Sequence, residues 1–168
     1  MPKIIENLRE KLVSEAKRQV EDSGYAALTI RSVAAACGVG VGTMYNYFTS
    51  KDALVAAFML EDWQKCVDRI TATADQSPTA TPVLQCIHHQ LLVFTSQHQP
   101  VFADEAAIAS FSGSPSPYHS MLRRQLAQPL EKFTPDEFTA EFIAEALLTW
   151  TVAGRGIEDM LPLLEKLL

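Results

Sequence analysis

Residues 29–53, TIRSVAAACGVGVGTMYNYFTSKDA, decide how this chain is built. Thr29 is a natural N-cap, because its hydroxyl can accept a hydrogen bond from an orphan amide of a first helical turn. Behind it Ile30, Val33, Ala34 and Cys37 fall at i, i+3, i+4 and i+7, one face of a helix. Gly38 ends that helix, as glycine does where the chain must take a positive φ just past a C-terminus. Val39-Gly40-Val41-Gly42 is too rich in glycine for mid-helix and too short for a linker, so it is expected to be the turn. Thr43 to Phe48 is expected to be a second short helix. Ser50 caps a third, with Lys51 and Asp52 in its first turn and Leu54 and Phe58 on its apolar stripe.

Two short helices across a tight turn make a helix-turn-helix, whose second helix enters the major groove of DNA. Met44 and Phe48, at i and i+4, can anchor that helix on one side. Tyr45 and Tyr47 lie two apart and cannot both be core. Thr43, Asn46 and at least one tyrosine hydroxyl are therefore left exposed, as neutral donors and acceptors suited to phosphates and base edges.

At this point GVGVGTMYNYFTSKDAL resembles the DNA-reading end of the tetracycline-repressor (TetR) family. That pattern runs glycine-valine, a short turn, glycine-threonine, aliphatic, tyrosine, any residue, tyrosine or histidine, phenylalanine, then serine-lysine. Gly38, Val39, Gly42, Thr43, Tyr45, Tyr47, Phe48, Ser50 and Lys51 match it, as do Gly24-Tyr25, Thr29 and Arg31 upstream. Gly40 and Val41 depart from it: the family often has serine at the first and a basic or polar residue at the second. The resemblance implies that Val41, Gly42, Thr43 and Asn46 approach base edges, and that Thr29, Tyr45, Tyr47 and Lys51 hold phosphates. Arg31 would reach a guanine edge or a phosphate. It further implies a homodimer on a palindromic operator in double-stranded DNA, released by a small-molecule effector, with repression the commoner mode.

The 168 residues suffice for one domain or two small ones with a real core. Hydrophobic residues make up 48% and charged residues 20%, the composition of a folded soluble protein. No apolar run reaches the length of a membrane span and no signal pattern opens the chain, so a cytoplasmic protein with no membrane partner is expected. Cys37, Cys66 and Cys86 are scattered without C-x-x-C spacing, which fits reduced thiols. The net charge of −6 is unevenly spread. Residues 1–55 hold seven Lys or Arg against six Asp or Glu, and residues 56–168 seven against fourteen. A near-neutral head and an acidic body leave only the head to face phosphate.

The remaining segments are helical in pattern, with no strand, hairpin or repeat signal. Lys3–Ser23 keeps apolar spacings of three and four through Ile5, Leu8, Leu12, Ala16 and Val20, and ends at Gly24. Ser50 to about Ala74 is a long connector, with Asp62, Lys65 and Arg69 facing solvent and Phe58, Val67 and Ile70 facing inward. Thr81 and Pro82 are expected to cap and start the next helix, which carries Leu84, Ile87, Leu91 and Phe94 to about His98. Val101–Phe111 is expected to be a short helix. Another holds Tyr118, Met121, Leu122 and Leu126 and is ended or kinked by Pro129. Thr134-Pro135-Asp136-Glu137 has the makings of a capping box that starts a helix running to about Gly154. A last helix should begin near Glu158 or Asp159, since Pro162 is tolerated only in a first turn.

The expected fold class is thus all-α: a three-helix head with its helix-turn-helix at about 29–48 in residues 1–55, and a helical effector-binding and dimerisation body in residues 56–168, about nine helices in all. The last two helices carry more apolar surface than one face can hide. Leu147, Trp150, Leu161 and Leu164 are therefore assigned to a dimer interface, which the resemblance also implies, with a monomer core as the alternative. In the middle of the chain Trp63, Phe94, Phe102, Phe111, Tyr118 and Met121 are candidates for an apolar effector pocket; the assignment is to the region, since core packing accounts for any one of them. Cys86, His88, His89 and His98 do not complete a closed tetrahedral metal site, so no metal and no cofactor are expected. No nucleophile elbow, phosphate-cradling glycine loop or H-E-x-x-H supports an enzyme. A protein-binding helical module, its helix-turn-helix packed on another protein, is the rival from a different class.

Overall fold

A computed structural model of the chain describes residues 7–107 and 117–168. Those residues are helical, with turns between and no strand. They divide into two compact units, the first holding residues 7–61 and 98–107 and the second residues 62–97 and 117–168. The head thus reaches six residues beyond the boundary expected at 55 and takes in a later segment, because buried side chains of the connector helix belong to it.

The first unit contains α1 (Leu8–Ser23), α2 (Ile30–Ala36), α3 (Val41–Tyr45), the first part of α4 (Lys51–Gln76) and a single helical turn at Gln99–Phe102. Leu8, Leu12, Ala16 and Val20 are buried, as their spacing requires, and so is Val13. Ile30, Val33 and Ala34 of α2, Met44 and Phe48 around α3, and Leu54, Val55 and Phe58 of α4 are buried with them. Fully burying a side chain of this size contributes about 1.5–3 kcal/mol. That matters most for α3, whose five residues are far too few for a helix to persist in water on its own. The expected helix Val101–Phe111 is broken early. Ala103 ends the turn, and Asp104 Oδ1 then accepts from the amides of Ala106 and Ala107 at 2.9 and 3.1 Å. Phe111 lies outside the described residues.

The second unit contains the rest of α4, α5 (Thr81–Gln97), α6 (Pro117–Ala127), α7 (Glu137–Val152) and α8 (Ile157–Leu164), with 3-10 turns at Gln128–Phe133 and Glu165–Leu167. Leu84, Ile87, Leu91 and Phe94 line the buried side of α5. Pro129 does end α6, turning the chain into the 3-10 stretch.

Four local expectations are corrected here. Thr81 lies inside the first turn of α5, and its hydroxyl donates to Glu165 Oε1 at 2.5 Å instead of capping. Asp136, not Thr134, caps α7, accepting from the Thr139 amide at 2.7 Å. Asp caps at least as well as Thr, and the 3-10 stretch leaves Thr134 extended, so the later residue wins. Pro162 sits inside α8, which starts at Ile157 after Gly156. Pro162 is exposed, so water can satisfy the carbonyl it leaves without a donor. Asp62 is buried rather than solvent-facing, held by Lys65 Nζ at 2.9 Å and Gln97 Nε2 at 3.0 Å.

Candidate nucleic-acid interface

The turn between α2 and α3 is built from backbone hydrogen bonds that its sequence makes possible. Thr29 Oγ1 accepts from the Ser32 amide at 2.9 Å while Ser32 Oγ accepts from the Thr29 amide at 3.2 Å, a capping box. Ser32 Oγ also donates to Gln19 Oε1 at 2.6 Å, which ties the start of α2 to α1. At the other end Gly38 takes φ +68°, where its amide bonds to the Ala35 carbonyl and the Val39 amide to that of Ala34. This pair of bonds is the Schellman closure that glycine favours.

Helix α3 begins two residues earlier than expected. Gly40 is its N-cap, in extended conformation and without a side chain to cap with, and Val41 and Gly42 form its first turn. Glycine is tolerated there because the first amides of a helix have no intrahelical partner in any case. Met44 is fully buried and Phe48 nearly so, which fixes the opposite side of the helix outward. Tyr45 and Tyr47 are 56% and 46% exposed, so both hydroxyls face water, one more than the sequence required. Asn46 and Gly42 are exposed beside them; Val41 and Thr43 are half-buried. Thr29 and Arg31 are exposed on α2.

Lys51 does not point freely outward. Its ammonium lies 3.8 Å from the centroid of the Tyr25 ring, and the Tyr25 hydroxyl donates to Asp52. Arg9 is placed similarly. Its guanidinium lies 5.5 Å from the Phe48 ring and pairs with Glu61 at 2.9 Å, linking α1, the end of the helix-turn-helix and α4. Arg18 pairs with Glu15 and Asp22 along α1. Each exposed pair contributes little stability, but together they engage head cations that would otherwise be open to phosphate. Sequence spacing did not show the links of Lys51 and Arg9, because their partners lie 26 to 52 positions away in the chain.

The candidates in the second unit separate into core and surface. Trp63 and Phe94 are buried against each other, edge to face with centroids 5.3 Å apart, and Trp63 Nε1 donates to Gln125 Oε1 at 2.7 Å. They form core rather than the wall of a pocket. Tyr118 is exposed, Met121 half-buried, and Phe102 is exposed in the first unit. Phe111 lies outside the described residues, and none of the other five borders either of the two clefts described next. Two clefts do open on this unit. One, of about 500 Å³, is bordered by Arg124, Glu131, Thr134, Asp136 and Glu141. The other, of about 280 Å³, is bordered by Val67, Thr71, Ala74, Gln125, Pro129 and Lys132.

Of the dimer candidates, Leu147 and Leu164 are buried within the chain itself and have no surface left for a partner. On α7 the spacing that turns Ile143 and Leu147 inward turns Phe138, Phe142 and Trp150 out, at 75%, 54% and 50% exposed. Leu161 is half-buried, and Leu163 beside it is exposed. His88 Nε2 contacts the Arg155 carbonyl at 3.1 Å and His98 stacks on Phe58. No group of three or more potential metal ligands gathers among the described residues. Burial pushes the Cys37 and Cys66 thiols up.

A capped helix, a glycine-closed turn and a short second helix with outward hydroxyls, all packed on a buttressing α1, define a helix-turn-helix head of the DNA-binding kind. The sequence pattern of bacterial regulatory proteins of the tetR family matches residues 12–58, from the second turn of α1 into α4. The HTH-type transcriptional regulator UidR of Escherichia coli (strain K12) is 26% identical over 61 residues, 36% of this chain and 31% of UidR. The match thus spans about a third of that relative's length. Among solved structures, the TetR family repressor AlkX from Dietzia sp. strain DQ12-45-1b has a TM-score of 0.67 at 16% identity, over 94% of this chain and 98% of AlkX. BioQ, solved with its double-stranded DNA operator, has a TM-score of 0.52 at 22% identity, over 94% and 95% of the two chains. Likeness at these identities speaks for the fold. Residues 12–58 thus carry the head pattern of bacterial regulatory proteins of the tetR family, and the described fold is similar to that of AlkX.

Proposed function

We propose that this protein is a cytoplasmic transcriptional regulator that binds double-stranded DNA as a homodimer, each head reading one half-site of an imperfect palindrome. The observation that carries this reading is the outward display of Tyr45, Asn46 and Tyr47 on a helix anchored from behind by Met44 and Phe48. Thr43 and Asn46 approach base edges, and Thr29, Tyr45, Tyr47 and Arg31 hold phosphates. Lys51 joins them by leaving the Tyr25 ring. The exposed side of α7, with Phe138, Phe142 and Trp150, is the surface on which two copies meet.

The protein acts as a repressor, and a small, largely apolar effector held in the second unit releases it from DNA. The effector shifts the balance between two head spacings only by its difference in affinity for the two states. A gel shift of the full chain against DNA flanking its own gene tests the reading. A retarded band, reversed by the effector and weakened by salt, is expected. No band with any flanking duplex refutes it and leaves the protein-binding module.

A further inference from the structure

The start of α3 presents Gly40-Val41-Gly42 to the outside. Neither a positive φ nor a close contact within the chain demands either glycine. Both have negative φ, a Cβ at Gly42 would meet nothing within 4 Å, and one at Gly40 would meet only Thr43 Oγ1 at 3.9 Å. Both stand at the start of the helix, where glycine is tolerated. The bare backbone there leaves room for something outside the chain to come close.

Between the two glycines Val41 supplies the one side chain, half-exposed and without a donor or acceptor. It lies one turn before Tyr45, at the edge of the outward strip of Gly42, Tyr45 and Asn46. Residues at the start of a recognition helix are those that meet base edges. Of the groups that bases present in the major groove, the thymine C5-methyl is the apolar one. An isopropyl group pressed against any other edge would strip water from a donor or acceptor and return nothing.

We infer that Val41 is a specificity-determining residue that reads a thymine methyl group, so that each half-site carries a T·A pair at the step facing the start of α3. The inference rests on the proposed DNA-binding function and gives that site its base preference.

The test begins with a duplex selected by the full-length protein from a random library. Each thymine of the selected site is then replaced in turn by deoxyuridine, which removes the methyl and leaves every hydrogen-bonding edge intact. One thymine per half-site should weaken binding by about fourfold when replaced, the value of one buried methyl group. With Val41→Ala the same replacement should have no further effect. Tight binding indifferent to deoxyuridine at every thymine overturns the inference and leaves the DNA-binding reading standing, as does a deoxyuridine effect that persists undiminished in Val41→Ala. Failure to select any duplex overturns both.

Discussion

Trp150→Ala separates the surface of α7 from its core. Trp150 is half exposed in the single chain. A fully covered aromatic of its class buries about 150–250 Å², so about 100 Å² remains to be covered by a partner. At about 25 cal/mol per Å² this is about 2.5 kcal/mol per chain. A two-fold interface contains the residue twice. Association recovers only part of such area because ordering and desolvation oppose it. Taking half of the doubled figure leaves about 2.5 kcal/mol, roughly a 60-fold rise in the dimer dissociation constant. Sedimentation velocity over a concentration series measures that constant directly. The control is Leu147→Ala, whose side chain is fully buried in its own chain. It should cost about 2–5 kcal/mol of protomer stability and leave the association constant of the folded protein unchanged. A wild-type chain that stays single across the series, or a Trp150→Ala dimer as tight as wild type, would refute the reasoning.

Three further outcomes are expected. Tyr45→Phe removes one exposed hydroxyl from a phosphate and should weaken binding to all duplexes alike by about 1 kcal/mol; a changed order of preference among duplexes would remove Tyr45 from the phosphate set. Gly42→Ala meets open space within the chain, so thermal unfolding should show the head as stable as wild type or more so, by up to about 1 kcal/mol. Binding in a gel shift should nevertheless weaken, and unchanged affinity would show that nothing approaches Gly42 closely. The third concerns acid. Two hydrogen bonds from Arg18, with Gln19 at 2.8 Å, hold the Glu15 carboxyl down at about 2. A carboxylate lowered on folding stabilises the native state above its unfolded value and loses that contribution as pH falls toward its folded one. Stability should therefore decline as pH drops from about 4.5 toward 2, and Glu15→Gln should flatten that limb of the unfolding profile.

Much of the head was legible because its signals are local. A cap, a period of 3.6 and a glycine at positive φ each act within a turn of chain. That is why Thr29, the Ile30–Val33–Ala34 face, Gly38 and Ser50 stand where spacing put them. The start of α3 was misplaced for an equally local reason: glycine is costly in mid-helix but cheap in a first turn, and composition alone does not distinguish the two. At Thr134-Pro135-Asp136 two good caps stood two residues apart, and the preceding 3-10 stretch chose between them.

The sequence by itself determined that the chain is helical, that a glycine-closed pair of short helices lies near its start, and that Met44 and Phe48 must face one way. Hydrogen bonding and periodicity within a few residues suffice for that. Tertiary structure alone decided which apolar side of α7 turns inward, because that helix carries large apolar residues on more than one face and only its neighbours can break the tie between Leu147 and Trp150. It also decided that Trp63 and Phe94 spend their rings on each other, and that Lys51 and Arg9 lie over aromatic rings within the head. Those outcomes depend on groups far apart in the chain being brought within a few ångströms, and no spacing along one helix encodes that distance.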